Sequence, residues 1–409
     1  MPNNKIIALV FLLCFTAEAF AGTVELPRTG QVTCYDSSGN TISCSGSGQD
    51  GATQAGSAWP APRFTDNGNG TITDQLTGLM WMKDSNCFSF QAWEASFTKL
   101  ADFNTNPGSY SCSGYTASYS DWRLANINEL ESLVNGEEAS TGTWLNAQGF
   151  YWVPLANFWT STSDAGGSSA WRVNMHDGVA FNADKTGANY MWPVRTADSS
   201  VNRIWRTGQV GSHTVGDDGH LRNGVTWPDP RFTNNGDGTV TDNLTGLVWL
   251  KDAGCFTGTW ANALSTVSAF NANSGTYSCA GYTATYSDWR LPNRKELRSL
   301  LDRSRSNPIL PSGNPFSNAQ SNYYWTSTTY AVKKNYAWEI DFWSGRENEG
   351  SKTLTRSIWP VRAGQVSASV NTAIPVLSEG GMLLLFFLLG FCAILRTTCR
   401  ATKNISNRP

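Results

Sequence analysis

The chain has 409 residues and a formal net charge of −2 at pH 7. Only 15% of the residues are charged, whereas 12% are aromatic and 18 residues are tryptophan. Because the sequence has neither a positive net charge nor a basic stripe, it excludes nucleic acid as an expected partner.

The start of the chain predicts an export signal over positions 1–21. Lys5 provides the positive start, Ile6–Phe15 is the apolar stretch, and Ala19-Phe20-Ala21 is a small-x-small cleavage motif. An uncleaved membrane anchor is the alternative, but the apolar stretch is short for a bilayer span. We therefore expect an exported protein.

A long sequence repeat follows. Pro62–Asp84 reads PRFTDNGNGTITDQLTGLMWMKD and returns over Pro230–Asp252 as PRFTNNGDGTVTDNLTGLVWLKD. Ser120–Leu124 (SDWRL) returns as Ser287–Leu291, at the same offset to within one position. An offset of this length is domain-sized and much longer than the period of a solenoid repeat. The sequence therefore predicts two homologous domains in tandem.

The repeats set the predicted domain boundaries. We expect each domain to fold alone, with a protease-sensitive stretch between the two at Ala197–Asn202. The predicted segments are a signal peptide (1–21), a cysteine-bracketed N-terminal segment (22–58), the first domain (59–197), a linker and entry segment (198–226), the second domain (227–364), a second linker (365–379), an apolar transmembrane or sorting helix (380–395) and a basic tail (396–409).

Six cysteines lie between the export signal and the C-terminal apolar stretch. Their spacing predicts three disulfides, Cys34–Cys44, Cys87–Cys112 and Cys255–Cys279, which fit an oxidising compartment. The entry segment of the second domain lacks both members of the first pair, as expected for a bonded pair. A metal site is the alternative. It is disfavoured because the chain has no CxxC motif and its histidines share no repeat position: His176, His213 and His220.

Abundant Gly and Asn, with little helical periodicity, predict many short strands. The expected fold class is α+β, with two tandem domains of short antiparallel strands, about two helices in each, and an apolar C-terminal helix. Asn126 and Asn293 are expected to cap helices together with Glu129 and Glu296. The predicted helices are Ala92–Phe103, Asn126–Val134, Trp260–Phe270 and Asn293–Leu301, and the predicted strands of the first domain are Arg63–Thr65, Thr71–Thr73, Leu79–Met82, Phe158–Thr162, Ala170–Val173 and Tyr190–Arg195.

The order of motifs in both repeats resembles a known family. In the second repeat FTNNGDGTVTDNLTGLVW, DWRLP, WTST, AW and WPVR follow one another. This order looks like the Lcl C-terminal domain of bacterial collagen-like adhesins, over residues 55–197 and 223–364. The resemblance implies a fold distantly similar to C-type-lectin-like and sulfatase-modifying-factor folds, whose RLPTxxEW segment is similar to Arg290–Leu297. The first domain departs from the pattern with Ala125 where the second has Pro292.

The C-terminal region carries a second resemblance. Ile374-Pro375-Val376-Leu377, the apolar residues after it and the basic tail resemble the IPTL-type sorting signal of Gram-negative bacteria. Val376 replaces Thr of that signal and Gly380 replaces Trp. The resemblance implies an exosortase-type processing enzyme as a partner, membrane contact through the apolar helix and a location at the cell surface. The basic tail is expected on the cytoplasmic side.

No set of catalytic residues recurs in both repeats. The histidines are not shared and the cysteines are expected to be paired, so we expect no enzyme. Clustered carboxylates on the first hairpin suit a calcium loop, but solvation of turns and strand ends is the favoured alternative, and no cofactor is expected. These carboxylates are Asp66, Asp74, Asp237 and Asp242.

The Asp-Trp-Arg motif recurs in both domains. It is either a ligand site or a buried ion pair that locks a tryptophan. The apolar surroundings and the helix start that follows favour the structural role. The residues concerned are Asp121, Trp122 and Arg123 in the first domain, and Asp288, Trp289 and Arg290 in the second.

Surplus aromatic residues point to recognition, since aromatic rings provide large contact area with little loss of entropy. The late loops of the second domain also carry cations, and the family's adhesins are described as binding sulfated glycans. The candidate ligand-binding residues are Lys333, Lys334, Tyr336, Trp343, Arg346 and Lys352.

The leading hypothesis is an exported, surface-anchored, non-enzymatic binding or adhesion protein whose partner is an extracellular glycan or matrix component. The alternative is a structural component of an extracellular matrix or envelope that binds no small ligand. An enzyme of unrecognised type comes third.

Overall fold

The computed structural model describes residues 24–198 and 203–363. We call the two repeats the first and second copies, and the segments before them (24–58 and 203–226) the entry segments. The first entry segment and copy contain β1 (Cys34–Tyr35), β2 (Thr41–Ile42), α1 (Asp50–Thr53), β3 (Phe64–Asp66), β4 (Thr71–Asp74), β5 (Leu79–Met82), β6 (Phe90–Gln91), α2 (Trp93–Thr105), β7 (Arg123–Leu124), α3 (Ile127–Glu131), α4 (Thr141–Ala147), β8 (Asn157–Ser163), β9 (Ser169–Asn174), β10 (Ala180–Asp184), β11 (Asn189–Tyr190) and β12 (Pro193–Thr196).

The second entry segment and copy repeat most of these elements. They contain α5 (Asp218–Leu221), β13 (Phe232–Asn234), β14 (Thr239–Asp242), β15 (Val248–Leu250), β16 (Phe256–Gly258), α6 (Trp260–Ala272), α7 (Arg294–Ser299), β17 (Tyr323–Thr329), β18 (Tyr336–Asp341), β19 (Glu347–Ser351), β20 (Arg356–Ile358) and β21 (Val361–Arg362). The protein is therefore rich in short strands with few helices, as the predicted α+β class requires.

Each copy opens with the predicted meander of three antiparallel strands. In the first copy the order is β3-β4-β5-β12-β7, and in the second it is β13-β14-β15-β21. Gly68 and Gly70, at φ of 72° and 81°, turn the chain between β3 and β4. A Cβ atom at Gly70 would also collide with the backbone of Tyr115. The repeated Gly-Asn sequence thus serves both the turn and close packing.

The helices begin where the sequence predicts. Asn126 accepts a hydrogen bond from the Glu129 backbone while the Glu129 side chain accepts one from Asn126, and Asn293 and Glu296 repeat this capping box. These two helices are shorter than predicted. In the first copy α3 ends at Glu131, because the following amides bond to carbonyls three residues back, as in a 3₁₀ turn.

Two sequence-based expectations need correction. Tyr190–Arg195 is not one strand: β11 pairs with β6 and β8, whereas β12 pairs with β5 and β7 in another sheet. The chain crosses between the sheets at Met191 and Trp192, both buried in the core. Helix α4, capped by Ser140, was not predicted.

The two cores repeat the same tryptophan contacts. The rings of Trp81 and Trp192 lie 5.6 Å apart at 64°, and those of Trp249 and Trp359 have the same separation and angle. This agreement shows that the two copies share one packing solution.

The copies share a ten-stranded sheet, ordered β16-β20-β17-β18-β19-β10-β9-β8-β11-β6. Five strands come from each copy, and β10 meets β19 in an antiparallel pair at Ala180 and Glu347. These two residues are separated by the same offset as the SDWRL motifs, so each faces its own equivalent. Pairing between equivalent residues is the mark of an approximate two-fold axis between the copies.

Each entry segment packs on the copy that it does not precede. Asp50 of α1 accepts a hydrogen bond of 2.6 Å from Thr328 of β17, in the second copy. Asp218 of α5 accepts one of 2.7 Å from Thr162 of β8, in the first copy. The entry segments therefore cross between the copies.

A buried cluster of charged side chains lies between α3 and α7. Arg294 is 3.2 Å from Glu131 of the first copy and 3.0 Å from Glu347, and Arg303 is 3.1 Å from Glu347. Arg298 also pairs with Glu131. All five side chains are at most 3% exposed. Together with the shared sheet, this cluster places all described residues in a single compact unit.

Candidate functional site

The side chains of the Asp-Trp-Arg motif in the first copy have partners within the copy, and these are not the partners expected. Arg123 donates two hydrogen bonds to Glu129, at 2.7 and 2.6 Å, so its partner is the capping residue of α3 and not Asp121. Asp121 instead accepts a 2.6 Å bond from Arg195. The buried Trp122 donates from Nε1 to Tyr115 at 2.9 Å.

The second copy repeats every one of these contacts. Arg290 donates two bonds to Glu296, Asp288 accepts from Arg362 at 2.7 Å, and Trp289 donates to a tyrosine hydroxyl at 3.0 Å. Through these bonds the motif joins the last strand to the helix start in each copy.

The hairpin carboxylates are also engaged. Asp74 is buried and lies 2.9 Å from Arg63, and the exposed Asp66 lies 2.6 Å from Lys83. Asp242 is paired with Arg231, and Asp237 accepts from the backbone and hydroxyl of Thr239. Within the described ranges, no group of three or more His, Cys, Asp or Glu side chains could hold a metal ion.

The three predicted disulfides are confirmed: Cys34–Cys44, Cys87–Cys112 and Cys255–Cys279 are bonded. Only the first lies in an entry segment, where it closes the β1–β2 hairpin.

The candidate ligand-binding residues divide into separate groups. Lys333 and Lys334 are exposed in the turn Ala331–Asn335 between β17 and β18, which we call the basic turn. The Lys333 ammonium lies 5.2 Å from the ring of Tyr336, and that of Lys334 lies 5.0 Å from the ring of Tyr35. The disulfide-closed hairpin therefore braces the basic turn.

Trp343 and Arg346 lie elsewhere, in the turn between β18 and β19. Trp343 is 56% exposed, and Arg346 donates at 3.4 Å to Asn182 of the first copy. Since β18 separates this turn from the basic turn by six residues, and a strand rises about 3.3 Å per residue, the two turns are at opposite ends of the strand.

Lys352 is buried, with 1% of its surface exposed. Its ammonium donates to the carbonyl oxygens of Tyr35 and Asp36 at 3.4 and 3.2 Å, and lies 3.9 Å from the ring of Trp260. Burial lowers the pKa of Lys352 to about 7. The first entry segment covers this lysine, so it anchors the hairpin and does not face solvent.

Sequence reasoning missed an exposed aromatic pair. Tyr151 and Trp152 are 50% and 65% exposed in the segment Phe150–Leu155, which we call the aromatic loop. The equivalent residues of the second copy are Ser317 and Asn318. The isolated β-bridge between Asp84 and Tyr151 in the first copy corresponds to the one between Asp252 and Ser317 in the second. The sequence already showed this difference, because the first copy has two aromatic residues where the second has a serine and an asparagine.

Comparison with known proteins gives a clear family. The model of the Lcl C-terminal domain matches residues 70–195 and 238–362, which together make up more than half of the chain. The chain therefore belongs to the Lcl C-terminal domain family and carries the domain twice. A search of the curated proteins found no match.

Several predicted features lie outside the described residues. These are the export signal, the sorting motif at Ile374–Leu377, the apolar helix and the basic tail. In the part of the chain that the structure describes, no helix has the length and apolar character needed to cross a membrane.

Proposed function

We propose that this protein is an exported, non-enzymatic binding or adhesion protein held at the cell surface. The family carries an extracellular or surface-related role, and three disulfides suit an oxidising compartment. Surface attachment would use the predicted C-terminal helix, with an exosortase-type enzyme as processing partner. A likeness to C-type-lectin-like folds is part of this proposal.

The exposed lysines of the basic turn support a particular class of ligand. Lys333 and Lys334 are exposed neighbours, neither has a carboxylate partner among the described residues, and Tyr336 provides an aromatic edge beside them. The Cys34–Cys44 hairpin holds the turn, so little ordering is needed on binding. Two adjacent ammonium groups favour a polyanion, and the ligand class proposed is therefore a sulfated glycan.

Heparin affinity chromatography tests this ligand. Lys333→Ala with Lys334→Ala should elute at lower salt than the parent protein and keep its stability within about 0.5 kcal/mol. The matched control is Arg203→Ala with Arg305→Ala, which removes the same charge from exposed positions elsewhere. Equal loss of retention in both double variants would show a non-specific charge effect, and no retention of the parent would remove the glycan ligand.

The structural-component alternative has its own supporting observation. Strands β6 and β16 each have one neighbour and end the ten-stranded sheet, so their outer edges offer backbone groups to another chain. Both strands are short, three residues at most, which limits such pairing. Ordered assembly of the purified protein without any glycan would favour this alternative over a binding protein.

A further inference from the structure

Trp152 has a backbone conformation that is unusual for its residue type. Its φ is +40°, in the left-handed region that a bulky side chain rarely adopts. Asn318, at the matching place in the second copy, has φ of +54°, and asparagine tolerates this region well. The loop therefore requires a left-handed residue in both copies, and the first copy meets the requirement with an exposed tryptophan. A strained residue of this kind points to a function.

Hydrogen bonds and a buried side chain anchor the backbone of the aromatic loop to the rest of the first copy. Phe150 is buried, and the amide of Tyr151 donates to Lys83 at 2.9 Å. Ser85 donates from its hydroxyl to the carbonyl of Trp152 at 3.0 Å, and the amide of Val153 donates to Asn146 at 2.8 Å. Bonds on both sides of Trp152 fix the backbone that carries the ring before any ligand arrives, which lowers the entropy cost of binding.

The chain next to the aromatic loop carries few charges. The stretch 139–163 contains no Asp, Glu, Lys or Arg. Of the charged residues beside it, Lys83 is paired with Asp66 at 2.6 Å, and Asp84 is buried and accepts bonds from the amides of Asn86 and Ser113. Amide side chains remain, at Asn86, Asn146 and Gln148, all at least partly exposed.

The size of the exposed apolar patch on the aromatic loop favours a sugar over a protein as its ligand. Besides the aromatic pair, Leu155 at 51% is the exposed large apolar residue of the loop. Three side chains are too few for a protein interface, which buries about 800 Å² on each partner. One or two rings are enough for a sugar, whose C–H face packs on an aromatic ring while its hydroxyl groups bond to amides.

We infer that the aromatic loop of the first copy binds an uncharged pyranose unit of a polysaccharide, stacked on Trp152 with Tyr151 beside it. The inference rests on the proposed binding function but uses a different surface from the basic turn. The first copy would then take neutral sugars, and the second copy would take anionic ones.

Affinity electrophoresis of the whole protein tests this site, with gels that contain dextran, a β-1,3-glucan, a β-1,4-glucan or a mannan. At least one of these polymers should retard the parent protein. Trp152→Asn, which installs the residue that the second copy uses, should weaken the binding at least tenfold without lowering the melting temperature. The control Phe90→Ser removes another exposed aromatic side chain of the first copy, in β6, and should bind like the parent.

The outcomes separate this inference from the proposed function. Retention on heparin with no retardation in any neutral gel overturns the inference and leaves the basic turn in place. Loss of both overturns both proposals. Equal retardation of Trp152→Asn and the parent shows that a neutral glycan binds elsewhere, and overturns the site. Light scattering that shows a dimer of the parent but not of Trp152→Asn assigns the loop to a second copy of the chain and also overturns it.

Discussion

Glu131 in the first copy and Arg298 in the second hold equivalent places in α3 and α7, and they pair with one another. Elsewhere in the cores the copies match closely, from the capping boxes to the tryptophan contacts. The copies thus agree in these internal contacts and differ where α3 packs on α7.

The two-fold axis explains why the difference matters. A residue beside such an axis faces its own equivalent, so two first copies would bury Glu131 against Glu131, and two second copies would bury Arg298 against Arg298. Burying like charges together is costly, because neither is compensated. The two copies are therefore complementary to one another and not to themselves, which favours a single intertwined protein over two separable domains.

The largest expected effect is that the two halves of the protein stay together after the chain between them is cut. A specific protease site placed between Ser199 and Asn202 should allow the chain to be cut once. We expect the cut protein to remain a single particle in size-exclusion chromatography, because the entry segments and the shared sheet join the halves. The sequence alone predicted two stable fragments. Two separate peaks without denaturant would restore that prediction and show that the joined sheet contributes little.

The second effect concerns the ion pair on the axis. Glu131→Ala and Arg298→Ala should each lower the free energy of unfolding by up to about 3–5 kcal/mol, since each removes the nearest partner of a buried charge. The partners that remain are more distant: Glu131 keeps Arg294 at 3.2 Å, and Arg298 keeps Glu347 at 3.9 Å. Urea denaturation measures this loss. The double variant should lose less than the sum of the two single losses.

Exposed Arg305→Ala is the matched control and should change stability by less than about 0.5 kcal/mol. Small, additive losses for Glu131→Ala and Arg298→Ala would mean that the axis pair does not couple the copies.

The sequence predicted the contacts within a copy better than those between copies. The capping boxes and two of the three disulfides were visible because their residues recur in both copies at fixed, short spacings. The partner of Asp50 was not visible, because Thr328 lies 278 residues away and no local pattern marks it. For the same reason Lys352 was assigned to an exposed loop, although the distant hairpin of the first entry segment covers it. Trp152 could have been found, since the second copy has asparagine in its place.

The third effect is a dependence on pH shared by the two entry segments. Burial raises the pKa of Asp50 and of Asp218 to about 6, from an ordinary value of 3.8. Between these values the folded protein binds more protons than the unfolded chain. The stabilising contribution of both carboxyls is therefore complete below pH 3.8 and is lost as the pH rises through about 6.

A double variant isolates this contribution. Asp50→Asn with Asp218→Asn cannot ionise, and its amide oxygens still accept the bonds from the threonine hydroxyls. Its stability relative to the parent should rise as the pH increases from about 4 to 6, and should then level off. Urea midpoints across this range provide the measurement. Parallel profiles for variant and parent would show that neither carboxyl titrates in this window.

The smallest effect on stability is expected at an exposed ion pair that both copies share. Asp121 and Asp288 are 57% and 54% exposed, and each accepts a bond from the arginine of the last strand, Arg195 or Arg362. Asp121→Asn and Asp288→Asn should each lower the free energy of unfolding by less than about 1 kcal/mol, because exposed ion pairs contribute little.

Each arginine also keeps a second partner after these substitutions. The guanidinium of Arg195 lies 4.0 Å from the ring of Tyr119, and that of Arg362 lies 3.9 Å from the ring of Tyr286. Replacing the tyrosines as well, with leucine, should add a further loss of about 0.5–1 kcal/mol in each copy. Thermal unfolding of the matched pairs tests whether the two copies respond alike. Unequal losses at these equivalent sites would show that the shared framework, and not only the face between the copies, has diverged in energy.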